Sequence, residues 1–393
     1  MMTSNGKRRL QEEESQTESK CTKRVSEISA QLAITDEHIE TESQGTNKNE
    51  KLQDKSIKLE DFPPEILLKI LSFLEINVLL KCCQTSKKIR SICYDNSLWQ
   101  TISLTKKKVP TDFLKKVISH GCKSLNLNEA NVVGTLRLEN ESQLTNLDLS
   151  GCTAMSHVFQ ELLISCHYLQ KLTFTQPLNF DTLSTLTSKN GKTLQVLNCW
   201  WEFQGSEARA RGASNLDLPY IQSILENCTK LKELNFWNGG FPDSDKIDYH
   251  CGIYRGAVDY LVNNISPNIE KFSVRASDFR DQHIKILVSR CTKIKELRFA
   301  CLSIRKDSVT HIIDHLSPTL EQIELTNCSV SHQETFQLKL MPKLKILDDL
   351  SGWKWEIIHE LREQLPDVSV NGYPPMATVC KKKKLRYDAY FYN

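Results

Sequence analysis

The chain has 393 residues, of which 39% are hydrophobic, and its 51 basic and 48 acidic residues give a net charge of +3. This balance excludes nucleic-acid binding through bulk positive charge. No apolar run reaches the roughly 18 residues of a transmembrane helix, so we expect no membrane span. The polar amino terminus lacks the apolar segment of a secretion signal, which predicts a nuclear and/or cytoplasmic protein that is not secreted. The 14 cysteines include no Cys-x-x-Cys pair and are expected to be reduced thiols.

Residues 1–56 predict a disordered tail. They contain no aromatic residue and are rich in Glu, Ser, Gln, Thr and Lys, so they have too little apolar surface to offset the entropy lost on ordering. The basic clusters Lys7–Arg9 and Lys20–Arg24 have the spacing of a two-part nuclear import signal. An ordinary solvated tail is the alternative.

A small helical module is predicted over 57–104. Phe62-Pro63-Pro64-Glu65 indicates the start of a helix with proline in its first turn. The apolar residues that follow cover an arc of about 220°, wider than the roughly 100° stripe of a one-sided surface helix. Two further short helices are predicted within 78–83 and 86–94. A unit of this size cannot cover all these apolar faces, so we expect it to present apolar surface to another chain.

These segments together resemble an F-box. The resemblance rests on Phe62–Leu67, Ile70–Leu74, Leu79–Lys87 and Ser97–Trp99, with Phe62 and Thr85 as mild departures. It implies docking on a Skp-type adaptor and, through that adaptor, on a cullin ubiquitin ligase. The residues it places at or under the adaptor interface are Phe62, Pro63, Ile66, Leu67, Ile70, Phe73, Leu74, Leu79, Leu80, Cys83 and Trp99. A small helical domain packed on its own chain is the alternative.

After a linker helix over 105–121, a repeated phrase runs through 122–370: Cys or Ser, two residues, Leu or Ile, two residues, then two apolar residues separated by one. The leading positions are Leu144, Leu169, Leu194, Leu231, Ile269, Ile294, Leu320 and Leu344, which lie 25, 25, 37, 38, 25, 26 and 24 residues apart. A period of about 25 with this phrase is typical of a leucine-rich repeat. The Cys before the strands resembles the Cys-rich subclass found in many F-box proteins.

Each repeat predicts a strand and a helix, as at Ser156–Ser165 and Asp281–Arg290. Stacking of the repeats predicts an α/β fold, a curved solenoid with parallel strands inside and helices outside. A globular α/β domain with accidental periodicity is the alternative.

Alternation along the strands places the leucines in the core and the intervening residues on the concave face. Trp200 and Trp237 hold equivalent positions in adjacent repeats, and aromatic residues beside arginines are typical of interaction hot spots. The residues predicted to bind a protein target are Trp200, Trp237, Arg275, Arg298, Asn198 and Asn235. The alternative is that the insertions at about 202–217 and 239–255 cover both rings. Arginine can pair with carboxylates or with a phosphorylated segment, so the sequence leaves the modification state of the target open.

We find no motif for catalysis, for a cofactor or for a metal, and we expect a non-catalytic protein. There is no Gly-rich phosphate loop and no Gly-x-Ser-x-Gly. His311 and His315 have the spacing of a zinc protease helix, but Ile312 stands where that motif has Glu. The tail 371–393 contains Lys381–Arg386 followed by aromatic residues. It suits nuclear import or an acidic partner, and its packing on the concave face stays open.

The combined prediction is a substrate-recognition subunit of an SCF (Skp adaptor–cullin–F-box) ubiquitin ligase, a monomer within a hetero-complex. It would bind targets through the repeats for ubiquitination and proteasomal degradation. Within the family, Ser97–Thr101 and Leu147–Cys166 most resemble the S-phase-kinase-associated group, over residues 59–175, which implies a role in the cell cycle. The two long insertions depart from that pattern. The alternatives are an F-box scaffold acting outside ubiquitination and a leucine-rich receptor that only binds.

Overall fold

A computed structural model of the chain describes residues 59–175, 180–199, 218–236, 255–275, 279–300, 302–348 and 353–376. The predicted tail 1–56, the insertion 202–217, nearly all of the insertion 239–255 and the chain from residue 377 lie outside the described residues. The chain divides into two compact units, one ending at Trp99 and one beginning at Gln100.

Within its described residues, 59–99, the first unit contains three α-helices, as predicted: α1 (Pro64–Leu71), α2 (Ile76–Cys82) and α3 (Lys87–Cys93). Helix α3 begins after Ser86, whose hydroxyl accepts a hydrogen bond from the Ile89 N–H at 3.2 Å and so satisfies one of the free donors of the first turn. Trp99 is the last residue of the unit. Its ring is buried, and its Nε1 donates a hydrogen bond to the Cys93 carbonyl at 2.9 Å. The other buried apolar side chains are Leu67, Leu71, Ile76, Leu79, Cys83, Ile89 and Cys93.

The second unit is built on a sheet of 11 strands in which every pair of neighbours is parallel. In sheet order the strands are β1 (Thr101–Ser103), β3 (Ser124–Asn126), β5 (Asn146–Leu149), β6 (Lys171–Phe174), β7 (Val196–Cys199), β8 (Glu233–Phe236), β9 (Lys271–Arg275), β10 (Glu296–Ala300), β11 (Gln322–Thr326), β12 (Ile346–Asp348) and β13 (Ser369–Val370). Strands β2 (Lys108–Pro110) and β4 (Asn131–Val133) form a separate parallel pair.

Helices alternate with the strands along the array. They are α4 (Thr111–Ser119), α5 (Ser156–Ser165), α6 (Phe180–Asn190), α7 (Leu218–Asn227), α8 (Arg255–Asn264), α9 (Asp281–Arg290), α10 (Lys306–Leu316), α11 (His332–Thr335) and α12 (Trp355–Gln364). This order of parallel strands and helices confirms the predicted α/β class. The sheet begins at Thr101 rather than at residue 122, because Thr101–Ser103 pairs with Ser124–Asn126 although it lacks the leucine phrase.

One ladder of apolar side chains holds the sheet in register. Its members are mutual strand partners and at most 3% exposed: Ile102, Leu125, Leu147, Leu172, Leu197, Leu234, Phe272, Leu297, Ile323, Leu347 and Val370. Burial of each such side chain contributes about 2 kcal/mol. A register slip of one residue would turn the whole ladder to the other face of the sheet. The ladder therefore runs unbroken through the two lengthened repeats, where Leu197 pairs with Leu234 and Leu234 with Phe272.

Candidate protein-binding surfaces

The first unit presents a line of exposed apolar side chains along helix α1 and its two ends. We call Phe62, Ile66, Ile70 and Phe73 the apolar stripe. Their spacing of four places Ile66 and Ile70 on one side of helix α1, and Phe62 and Phe73 lie just before and just after the helix. Ile66 is 47% exposed and Phe73 is 76% exposed, far more than a side chain of a closed core. A row of this kind on a small unit is typical of a surface that another protein covers.

The structure divides the predicted adaptor-binding set into surface and core. The apolar stripe and Pro63 are exposed, and Leu74 and Leu80 are half-buried. Four other predicted members, namely Leu67, Leu79, Cys83 and Trp99, are at most 6% exposed. These four cannot touch an adaptor while the unit stays folded, because the helices of the unit already cover them. They form part of the core on which the exposed residues of the stripe are held.

Two cations contact residues of the stripe, and one exposed apolar residue precedes it. The Lys69 ammonium lies 5.3 Å from the centre of the Phe73 ring, a cation–π distance. Lys88 Nζ donates to the Phe62 carbonyl at 3.0 Å, which ties the start of the stripe to helix α3. Leu59 and Val78, which the sequence analysis did not single out, are also exposed apolar side chains of this unit. Leu59 lies three residues before Phe62, a spacing that points to the same side of the chain.

The second candidate surface is the face of the sheet opposite to the apolar ladder, which we call the polar face. One of its rows runs across four consecutive strands, β6 to β9. This neutral row consists of Thr173, Asn198, Asn235 and Ser273, which are strand partners in that order. Its register continues to Arg298 on β10 and Glu324 on β11. Asn198, Asn235 and Arg298, all predicted to bind a target, therefore lie in one line.

The two arginines predicted to bind a target on this face, Arg275 and Arg298, are not free, exposed cations. Arg275 is only 9% exposed, so it is not an open surface arginine. Arg298 is shared between two carboxylates, with Nη2 at 3.6 Å from Glu296 and Nε at 3.4 Å from Glu324. Lys271 forms an ion pair with Glu296 at 2.7 Å. Trp200 and Trp237 lie outside the described residues, so the predicted aromatic hot spot stays a prediction.

All ten cysteines that the structure describes are free thiols, and most are buried. Burial raises the pKa of Cys122 to about 11 and that of Cys166 and Cys291 to about 12. Cys82 and Cys328 are only half-buried. The buried thiols act as small apolar side chains, since only a thiolate is an effective nucleophile or metal ligand.

Alkylation should separate these two groups of thiols. With native protein and iodoacetamide at about pH 8, we expect Cys82 and Cys328 to be modified well before Cys166 and Cys291, because burial both shields the latter and keeps them protonated. Mass spectrometry of peptides from a time course measures the order. Equal rates of alkylation at Cys82 and Cys166, both in native protein and in denaturant, would contradict the packing described.

Neither a metal centre nor a membrane span is found in the described ranges. Within them, no group of three His, Cys, Asp or Glu side chains is arranged to hold a metal ion. No helix of the same ranges is long and apolar enough to cross a membrane.

Residues 59–105 match the F-box-like family model. Three solved structures are similar to the chain at low identity. The leucine-rich repeat-containing protein LegL7 from Legionella pneumophila is 11% identical, with 71% of this chain and 86% of that chain covered and a TM-score of 0.40. Rad7 in complex with Elc1 from yeast is 11% identical, with 94% and 96% covered and a TM-score of 0.43. An internalin (inlF) from Listeria monocytogenes is 13% identical, with 75% and 92% covered and a TM-score of 0.34.

The family match covers all three helices of the first unit and the whole apolar stripe. The second unit has the parallel strands, the alternating helices and the buried leucine ladder of a repeat array. Residues 59–105 thus match an F-box-like domain, and a repeat array of parallel strands, alternating helices and a buried leucine ladder follows.

Proposed function

We propose that this chain is the substrate-recognition subunit of an SCF-type E3 ubiquitin ligase. The F-box-like domain would dock on a Skp-type adaptor, the adaptor would dock on a cullin, and the repeat array would hold a target protein. In this proposal the chain is not itself an enzyme. It supplies proximity and orientation, which raise the rate of a reaction that other subunits carry out.

The observation that carries the proposal is the apolar stripe. Ile66 and Phe73 are 47% and 76% exposed within a segment that matches the F-box-like family. Exposed large apolar side chains lose unfavourable contact with water when a partner covers them. F-box domains bind Skp-type adaptors, and the stripe offers the kind of surface on which such binding depends.

The polar face supports the second half of the proposal. It spans the strands of the repeat array and carries polar side chains, whereas the opposite face of the sheet carries the buried apolar ladder. Long arrays of this type provide extended binding surfaces because each repeat adds one strand to the same face. Target proteins held there would be ubiquitinated and then degraded.

The place and process of action form the finer part of the proposal. We propose that the protein works in the nucleus and/or the cytoplasm, in cell-cycle control. The basic clusters Lys7–Arg9, Lys20–Arg24 and Lys381–Arg386 suit nuclear import. Fluorescence imaging of the tagged chain through the cell cycle, with each cluster replaced by alanine in turn, tests this part. Exclusion of the intact chain from nuclei at all stages would contradict the nuclear assignment.

Affinity purification of the full chain from cells under proteasome inhibition tests the proposal as a whole. We expect an adaptor and a cullin to co-purify, together with target proteins whose level falls when the inhibitor is removed. Co-purification of the adaptor without a cullin would instead support a scaffold that acts outside ubiquitination. Absence of both would contradict adaptor docking and leave a leucine-rich binding protein.

A further inference from the structure

Lysines are concentrated at the edge of the sheet where strands β8, β10 and β12 begin. Each of these strands is preceded by two exposed lysines that flank one buried apolar residue, Leu231, Ile294 or Leu344. We call these lysines the lysine edge, and they are Lys230, Lys232, Lys293, Lys295, Lys343 and Lys345. The strands between them, β9 and β11, are instead preceded by Glu270 and Glu321. A pair of lysines therefore recurs at every second repeat.

Backbone hydrogen bonds hold these charged residues in one row. The Glu270 N–H donates to the Lys232 carbonyl, and the Lys295 N–H donates to the Glu270 carbonyl, both at 2.7 Å. The Glu321 N–H donates to the Lys295 carbonyl at 2.7 Å, and the Lys345 N–H donates to the Glu321 carbonyl at 2.8 Å. Since neighbouring strands of a sheet lie about 4.8 Å apart, the lysine pairs follow one another at intervals of about 10 Å.

The lysine edge carries more positive charge than the two glutamates neutralise. Lys295 forms an ion pair with Glu270, and Lys345 forms one with Glu321, each at 2.6 Å. The remaining lysines of the edge form no ion pair with a described residue, and these are Lys230, Lys232, Lys293 and Lys343. Four exposed positive charges thus lie along one edge of the array without a carboxylate partner.

The pKa of a glutamate shows that the lysine charges converge. The pKa of Glu270 is lowered by its hydrogen bond with Lys295 and further by the charges of Lys232 and Lys293. A carboxylate of the row therefore lies among lysines of two repeats. Asp367 lines one pocket with the last lysine pair, so the unbalanced charge is greatest at the first two pairs.

An acidic polypeptide in an extended conformation fits this pattern of charge. Three residues of an extended chain span about 10 Å, so carboxylates at every third position meet successive lysine pairs. The uncharged residues between them then face Glu270 and Glu321. A nucleic-acid strand fits less well, because it carries a phosphate on every nucleotide and would bring phosphates against these glutamates too. Bases also stack on aromatic side chains, whereas the corresponding positions of these repeats hold Lys, Asn, Thr and Glu alone.

We infer that the lysine edge binds an extended acidic polypeptide segment of a partner protein, with Asp or Glu at about every third position. This inference goes beyond the proposed function, since the lysine edge belongs to the second unit and the apolar stripe to the first. Exposed ion pairs are individually weak and are screened by salt. Binding therefore depends on several pairs that form together along the edge.

Fluorescence anisotropy with the purified full chain tests the inference. The probe is a labelled synthetic peptide of serine and glutamate, with glutamate at every third position, at low ionic strength, where screening is weakest. We expect the intact chain to bind this peptide, and the variant Lys230→Gln/Lys232→Gln/Lys293→Gln/Lys343→Gln to bind it about tenfold or more weakly. A second peptide of the same composition, with its glutamates together at one end, is expected to bind the intact chain more weakly than the first.

A matched variant separates the lysine edge from net charge and from folding. Lys116→Gln/Lys285→Gln/Lys306→Gln/Lys354→Gln removes the same charge from four exposed lysines, which lie on α4, α9 and α10 and just before α12 and form no ion pair with a described residue. It should bind the peptide like the intact chain. Both variants should keep the thermal midpoint of the intact chain, because glutamine replaces exposed lysines and stays in contact with water.

Several outcomes would overturn the inference. Equal losses of affinity in the two variants would show a response to net charge alone. Equal affinity for the two peptides would contradict the spacing of the acidic residues. Tighter binding of oligothymidylate or of phosphatidylserine vesicles than of the peptide, with the same dependence on the lysine edge, would assign the edge to nucleic acid or to a membrane. An intact chain that does not bind the peptide would leave the edge as solvated surface. Failure of adaptor docking would contradict the proposed function and leave this inference standing.

Discussion

Replacing Ile66 and Ile70 by aspartate is expected to weaken adaptor binding by about a hundredfold or more. Both side chains are exposed in the free unit, at 47% and 39%, so the charges are hydrated there and the unit should fold normally. In the complex the same charges would be buried against an apolar partner without a counter-ion, at a cost of several kcal/mol. About 1.4 kcal/mol corresponds to tenfold in affinity, so two such groups should abolish co-purification. Titration calorimetry with the purified adaptor measures the loss.

Ser91→Asp is the matched control for this experiment. Ser91 is exposed on helix α3 and lies outside the apolar stripe, so the variant adds charge to the same unit without entering the row. It should bind the adaptor like the intact chain. Unchanged affinity of the Ile66→Asp/Ile70→Asp variant would refute docking through the stripe. A lowered thermal midpoint of that variant would show instead that the two isoleucines belong to the core.

Replacing Asn190 by alanine is expected to lower the free energy of unfolding by about 3 kcal/mol or more. Asn190 is fully buried at the end of helix α6. Its Nδ2 donates to the Cys166 carbonyl at 2.9 Å and to the Leu186 carbonyl at 3.1 Å. Its Oδ1 accepts from the Leu169 N–H at 2.9 Å. Alanine would leave the backbone groups of the preceding repeat unpaired in the core, where water cannot replace the amide.

Asn263→Ala is the matched control for Asn190→Ala. Asn263 also donates from Nδ2 to a backbone carbonyl four residues earlier, that of Asp259, at 2.8 Å, but it is exposed on helix α8. Its loss should change the free energy of unfolding by no more than about 0.5 kcal/mol. Urea unfolding of the three chains measures both changes. Equal effects of the two substitutions would show that burial does not decide the cost at Asn190.

The tight join between helices α6 and α7 explains one irregularity of the repeat phrase. Gly191 stands where other repeats have Cys, as Cys228 does in the next one. A Cβ built on Gly191 would lie 2.7 Å from both the Thr187 carbonyl oxygen and the Asn227 carbonyl carbon, too close for any side chain. The sequence shows the glycine as a departure from the pattern. Only the approach of the Asn227 backbone gives the reason for it.

The periodicity of the sequence was sufficient to predict the helices and strands that belong to the repeated phrase. Helices α5 and α9 have the predicted bounds, Ser156–Ser165 and Asp281–Arg290. The strand ladder also follows the predicted alternation, because the side-chain period of two and a buried face permit one register. Elements without the phrase were missed, such as β2 and β4, which pair with each other through Val109 and Val132. Their pairing depends on residues over 20 positions apart in the chain, which no local pattern reports.

By itself, the sequence determined the F-box-like module, the α/β repeat array and the residues that share the polar face, since each depends on spacing along the chain. Tertiary structure alone decided which of those residues are accessible. Helix α1 has a wide apolar arc, so the sequence permits burial of either side. In the structure α1 packs against α3, Leu67 is buried, and Ile66 and Ile70 stay exposed. Likewise, Arg298 is paired with Glu324 on the neighbouring strand as well as with Glu296 on its own strand, and Asn235 is buried within the sheet. Exposure and charge compensation are properties of contacts between distant segments, so a pattern within one segment cannot contain them.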